Sequence, residues 1–250
     1  RLVELMDYSH ELMRNLQVLA PGTYHHSLIV ANIAEQAAVA VNANSFLCRT
    51  SAMYHDVGKI IKPNYFTENQ RIGYNPHDEK TPFVSAIIIK AHVRDGIVMA
   101  ERAGIPPRVI DGIREHHGTS LIKYFYNKAL RQNEYVLESS KANDPRCVAS
   151  AGEFMDEAIF RYDGPKPRSK EMAILMVADS LEAASRSMKN VNPQSMKLLV
   201  DSIIDEKMDS HQLDDCSMTL KEINELRKAL YSIMVNMLHS RISYDDIPKK

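Results

Sequence analysis

The sequence predicts a protein that is nearly all α-helical. Glycine is scarce at 9 residues, tryptophan is absent, and the apolar stretches, rich in Ala, Leu, Ile and Met, repeat at helical rather than alternating spacing. A chain of 250 residues with 44% hydrophobic content can bury a substantial core, which we read as one large domain.

Taken in order, helices are expected from about Leu2 to Val18, Tyr24 to Val41 and Asn44 to Ile61. Pro21-Gly22 separates the first two, and His26, Val30, Ile33 and Ala37 make an inward stripe on the second. A helix over Pro82–Ala103 carries Val84, Ile87, Ile88, Ile89 and Ala91, and ends at Gly104 and Pro106-Pro107. Helices over Pro106–His117 and Ser120–Gln132 follow, with Gly118 suited to a left-handed cap between them. From Asn133 to Arg168 the pattern dissolves into polar residues, Asp144-Pro145 and Gly164-Pro165-Lys166-Pro167, which predicts a long excursion with one short helix near Glu153 to Phe160. The last helices run from about Ser169 to Met188, Pro193 to Met208 and Thr219 to His239. No internal repeat or low-complexity tract is present.

Composition narrows the function. Lys and Arg total 31 against 32 for Asp and Glu, so no charge excess favours a DNA or RNA duplex or an anionic membrane as the main partner. Cys48, Cys147 and Cys216 show no CxxC spacing and are odd in number, which fits a reducing cytosol better than a disulfide framework. No apolar run approaches the ~20 residues that cross a bilayer. The chain begins at Arg1, which suggests a piece of something longer.

The adjacent pair His55-Asp56, in YHDVGK, is the strongest chemical signal. Neighbours on a helix project about 100° apart, and a carboxylate can bridge two ions where an imidazole binds one, so the doublet suits a two-metal centre. His26 and His92 sit on apolar stripes, His116 and His117 stand together at a helix end, and Asp179 follows seven uninterrupted apolar residues. A histidine on such a stripe is ordinarily a hydrogen-bonded core residue, and a buried aspartate ordinarily joins a salt bridge or cap. Seven coincidences of this kind are less economical than one shared cause. Imidazole and carboxylate ligands without thiolate suit iron, manganese or zinc.

This ordered set resembles the HD superfamily of metal-dependent phosphohydrolases, whose signature is a first His, an HD doublet, further His residues and a late Asp. The strings APGTYHHS, YHDVGKI, NPHD, EHHGT, KYFY and GPKPRSKE, between Ala20 and Glu171, are similar to the cytoplasmic domain of the seven-transmembrane-HD receptors, and the resemblance runs from about Ala20 to Tyr244. These are the PgpH-type phosphodiesterases of bacteria, which cleave the second messenger cyclic di-AMP. The resemblance implies an HD-domain helical bundle over residues 20–250, with residues 1–19 an N-terminal helix that leads from a membrane region. It also implies a cytoplasmic domain of a parent anchored in the inner or plasma membrane; whether the domain forms a homodimer is left open by the sequence.

By the same resemblance, His26, His55 and Asp179 hold one divalent ion, His92, His116 and His117 the other, and Asp56 bridges; iron or manganese is the family metal. His26 rather than His25 is the ligand because it directly precedes Ser27, which leaves His25 beside the ligands. The implied reaction is hydrolysis of cyclic di-AMP to linear pApA by a hydroxide that two ions activate. Lys59 is placed to donate to a phosphate oxygen or the departing alkoxide, one helical turn beyond His55. Asn75 and His77 of the NPHD turn, Lys166 with Arg168 and Lys170, and Tyr124, Phe125 and Tyr126 are candidate substrate contacts. Each also has a plain reading as turn, solvated loop or helix core.

Three alternatives stay open. One is another phosphohydrolase on the same centre, acting on a nucleotide or on cyclic di-GMP, although the GYP string of the latter group is absent. Another is a sensor that binds a cyclic dinucleotide without cleaving it. The third is a di-iron oxidase or storage bundle, which the lack of paired Glu-x-x-His motifs disfavours.

Overall fold

The computed structural model describes residues 2–7, 10–132 and 156–242. Ten α-helices are found among them. The first is cut short. Residues expected as one helix form α1 (Leu2–Leu5) and α2 (Glu11–Leu19), with a turn between. The break expected at Pro21-Gly22 falls at Ala20, because Pro21 itself opens α3 (Pro21–Ala40), where its missing N–H would have no partner anyway.

The helix expected over Asn44–Ile61 is also two pieces. Asn44 caps α4 (Ser45–Tyr54) by accepting from the Leu47 N–H at 3.0 Å. The chain then tightens into a 3₁₀ turn over Val57–Ile61, with His55 and Asp56 at the junction. Gly58 makes this possible. A Cβ there would lie 1.9 Å from the His92 carbonyl oxygen and 2.5 Å from the Gly96 nitrogen, so only glycine lets the turn lie directly on α5 (Pro82–Arg102).

The remaining helices are α6 (Pro107–Glu115), α7 (123–132), α8 (Lys170–Arg186), α9 (Pro193–Asp209) and α10 (Leu220–Ile242). Side chains of Thr81, Ser169 and Asn192 cap α5, α8 and α9, and Thr219 and Glu222 exchange hydrogen bonds at the start of α10. Part of the polar excursion, residues 133–155 with Cys147, lies outside the described residues. After it come a 3₁₀ turn over Glu157–Phe160 and an extended segment to Ser169.

Helix α3 runs through the middle, packed against α4, α8 and α10, while α5 lies on the 3₁₀ turn and α6. Ile33, Ala34, Ala37, Met53, Ile174, Leu175 and Leu230 fill the core at zero exposure. Leu5, Leu12, Met13 and Leu16 join the same core, so α1 and α2 pack on the bundle. Among the described residues there is no β-strand, only an isolated bridge between Leu121 and Arg161, and no helix is long and apolar enough to cross a membrane.

Candidate metal centre and substrate cleft

Five helix-borne positions converge at one buried point. His26 projects inward from the first turns of α3, His55 and Asp56 stand at the α4 junction, His92 is on the buried face of α5, His116 and His117 follow the end of α6, and Asp179 lies mid-way along α8. Candidate ligand atoms fall into two groups: His26, His55, Asp56 and Asp179, and Asp56, His92, His116 and His117. Asp56 belongs to both.

Its two oxygens face opposite ways. Oδ2 lies 3.2 Å from His55 Nε2 and 3.6 Å from His26 Nε2, while Oδ1 lies 3.3 Å from His92 Nε2 and 3.6 Å from His116 Nε2. Asp179 Oδ1 completes the first group, 2.9 Å from His26 Nε2 and 3.6 Å from His55 Nε2. His117 Nδ1 approaches Asp179 Oδ2 at 3.8 Å.

The imidazoles are oriented from behind. Nδ1 of His55 lies 2.7 Å from the Ala52 carbonyl, that of His92 2.6 Å from Ile89, and that of His116 2.9 Å from Ile113. A carbonyl only accepts, so each Nδ1 carries a proton and each Nε2 is the atom turned inward, where a bound cation would take its lone pair. His26 uses a carboxylate instead, its Nδ1 pairing with Glu182. His92 Nε2 and His116 Nε2 lie 3.3 Å apart.

That donor set fits divalent metal ions. His55 Nε2 and both oxygens of Asp56 are buried without a hydrogen-bond partner in proper geometry among the described residues. Leaving such atoms unsatisfied costs about 1–3 kcal/mol each, more for the charged carboxylate, and cations facing each side of Asp56 satisfy all three. Electrostatics agree. Burial opposes ionisation of Asp56 and Asp179, yet His55 and Lys59 around the one, and His26 and His55 around the other, hold both well below the usual carboxylate range. Burial keeps His92 neutral, its pKa pushed down to about 3, with His116 and Lys59 adding to the effect against the pull of Asp56.

The HD domain family matches residues 23–184, a span that holds all seven of these side chains. The chain belongs to the HD domain family. It is 43% identical over all 250 residues to the cyclic-di-AMP phosphodiesterase PgpH of Bacillus subtilis (strain 168), and 41% identical over 246 residues, 98% of the chain, to that of Listeria monocytogenes serotype 1/2a. The chain spans 32% of the length of each. A crystal structure of the L. monocytogenes phosphodiesterase PgpH HD domain in complex with cyclic-di-AMP superposes with a TM-score of 0.80. It is 39% identical, and the match covers 92% of this chain and 98% of that one. The expected all-α HD bundle is thus the fold observed.

An HD-domain cleft of about 720 Å³ opens over the centre, of a size suited to a small-molecule ligand. Lys59, Asn75 and His77 line it. Lys59 Nζ lies 2.7 Å from Asp56 Oδ2 and 2.9 Å from Glu68 Oε1, reached through the 3₁₀ turn rather than the continuous helix expected. Asn75 Oδ1 accepts from the His77 N–H at 3.0 Å, and His77 Nε2 donates to the Tyr65 carbonyl at 2.9 Å. Tyr124 and Phe125 also line the cleft, whereas Tyr126 packs on Phe160 in a separate apolar cluster.

Two expectations are corrected. Lys166 does not line this cleft; the extended segment carries it past Gly118, while Arg168 pairs with buried Glu115 and Lys170 with Glu222. His25 is exposed on the outer face of α3, about 100° around the helix from buried His26.

Sequence reasoning missed Glu182, Glu68, Arg186 and Tyr162. Glu182 follows Asp179 by three residues on the buried face of α8, a spacing that could have flagged it. Tyr162 stacks on His117, ring centroids 4.1 Å apart and planes at 23°, and had no local signal in its extended segment.

Proposed function

We propose that this HD domain is a metal-dependent phosphodiesterase that hydrolyses cyclic di-AMP to linear pApA. One observation carries the reading: the two oxygens of Asp56 each face a different histidine set, in a cleft large enough for a dinucleotide. The relatives named cyclic-di-AMP phosphodiesterase, and the related HD domain crystallised with that nucleotide, support the choice of substrate.

In this reading His26, His55 and Asp179 hold one ion, His92, His116 and His117 the other, and Asp56 bridges, with iron or manganese as the metal. Ions held there supply Lewis acidity toward a phosphoryl oxygen and a water of lowered pKa. The chain supplies the rest. The carbonyls behind His55, His92 and His116, and Glu182 behind His26, fix the tautomers. An ammonium has three N–H donors; at Lys59 one donates to Glu68 Oε1 at 2.9 Å while Asp56 Oδ2 faces the ammonium as an ion pair, which leaves N–H capacity for a phosphoryl oxygen or the departing ribose 3′ oxygen. Tyr65, Phe66, Tyr124 and Phe125 offer apolar walls for adenine. We further propose that residues 1–19 lead from a membrane region and that the domain faces the cytoplasm. The relatives' greater length and the sequence resemblance support this.

The test combines elemental analysis of the purified chain with chromatography of products from cyclic di-AMP and cyclic di-GMP. Two metal ions per chain and pApA as the preferred product are expected. Preference for the guanine nucleotide, or tight binding of cyclic di-AMP by the metal-replete chain with no product, would overturn the reading.

A further inference from the structure

We propose that Arg186 forms a second anion subsite of this cleft, which takes the phosphate of a cyclic dinucleotide that is not being cleaved. This rests on the phosphodiesterase reading above. Arg186 lies seven residues beyond Asp179 on α8, two turns along the same face, and lines the cleft together with Ala183 and Ser187. Lys59 and Arg186 are the Lys and Arg residues of that lining, and Lys59 is already engaged by two carboxylates.

The guanidinium is held at one edge and open at the other. Its Nη2 donates to Glu182 Oε2 at 2.8 Å, the carboxylate that also takes the Nδ1 proton of His26, so Glu182 holds it 3.2 Å from that Nδ1 and one imidazole's width from the metal-facing Nε2. Nε and Nη1 make no hydrogen bond or ion pair among the described residues, and the side chain remains 37% exposed. Glu182 is itself buried, so it anchors the fork without drawing it out of the cleft. A planar fork with free N–H groups is suited to two oxygens of a phosphodiester. Ala183, one turn before, has only a methyl group to occupy the space beside it.

The chemistry of the substrate requires such a group. A cyclic dinucleotide carries two phosphodiester anions, and the metal centre accommodates the one under attack. The other enters the same partly desolvated cleft, and a charge taken from water without a counter-ion is penalised. A substrate with a single phosphodiester has no such need.

The test compares kcat/KM of the manganese-loaded chain and its Arg186→Met variant on cyclic di-AMP and on bis(p-nitrophenyl) phosphate, which has one phosphate. Metal content is measured on both proteins. The subsite predicts a loss on cyclic di-AMP of about 10- to 100-fold, mainly through KM, and at least about 10-fold greater than the loss on the single diester. Arg186→Lys is expected to recover part of the loss, since charge returns without the fork. Equal losses on both substrates, or a fall in metal content that accounts for them, would assign Arg186 only to holding Glu182 and His26, and overturn the subsite. If the unmodified chain cleaves the single diester but neither binds nor cleaves cyclic di-AMP, the substrate reading fails instead.

Discussion

Lys59 Nζ lies 2.7 Å from Asp56 Oδ2, the oxygen that faces His26 and His55, and shares its charge with Glu68 at 2.9 Å. The ammonium therefore borders the reacting region while buried carboxylates hold it in place. Burial works against its charge, but Asp56 and Glu68 raise its pKa, so it stays protonated at neutral pH.

Lys59→Met should lower kcat on cyclic di-AMP by about 100-fold, the scale of a lost transition-state donor. Metal content measured alongside separates this from damage to the centre. A variant with full metal and unaltered kcat would remove Lys59 from the chemistry.

Asp56→Ala removes the group common to both ligand sets. Bound metal should fall from two ions towards none, and turnover with it. The unmodified chain should melt at a lower temperature after chelation, because an ion present at 100 times its Kd adds about 2.7 kcal/mol to the folded state. Calorimetric scans with and without chelator should differ for the unmodified chain and coincide for the variant.

Gly58→Ala should destabilise the fold by at least about 2 kcal/mol, since the new methyl group would meet backbone atoms of His92 and Gly96, which cannot rotate away. Gly73 is the contrast. Nothing lies within 4 Å of a Cβ there, and only its φ of +85° resists alanine, at a cost of about 1 kcal/mol. Urea midpoints of the two variants should rank in that order.

His77 is buried against Tyr65 and Phe125, and burial lowers its pKa below the usual 6.5 despite the Tyr65 carbonyl. The unfolded chain then takes up the proton first. This contribution to stability is full above about pH 6.5 and is lost as pH falls from there towards the folded pKa. His77→Gln should show a shallower loss of urea stability between pH 7 and 5 than the unmodified chain; identical slopes would exclude this role.

Helix type and the positions of most helices were legible because apolar spacing and caps are local. Boundaries failed where a distant contact decided them: the α4 break after Tyr54 follows from the approach of the 3₁₀ turn to α5, and YHDVGKI alone carries no sign of His92. The basic loop shows the same limit. Lys166, Arg168 and Lys170 read as phosphate ligands by charge, but Glu115 and Glu222 claim the last two from distant helices.

By itself the sequence determined residue types and their order: a first histidine, an HD doublet, later histidines and a buried aspartate, on helices whose apolar faces direct them inward. Only the tertiary structure decided how they meet. It set which oxygen of Asp56 faces which imidazoles, and it placed Glu182 behind His26 across 156 residues and Arg186 rather than Lys166 in the cleft. Helical periodicity follows from neighbouring residues, whereas these pairings depend on how whole helices pack, and a cation's partner is fixed by that packing.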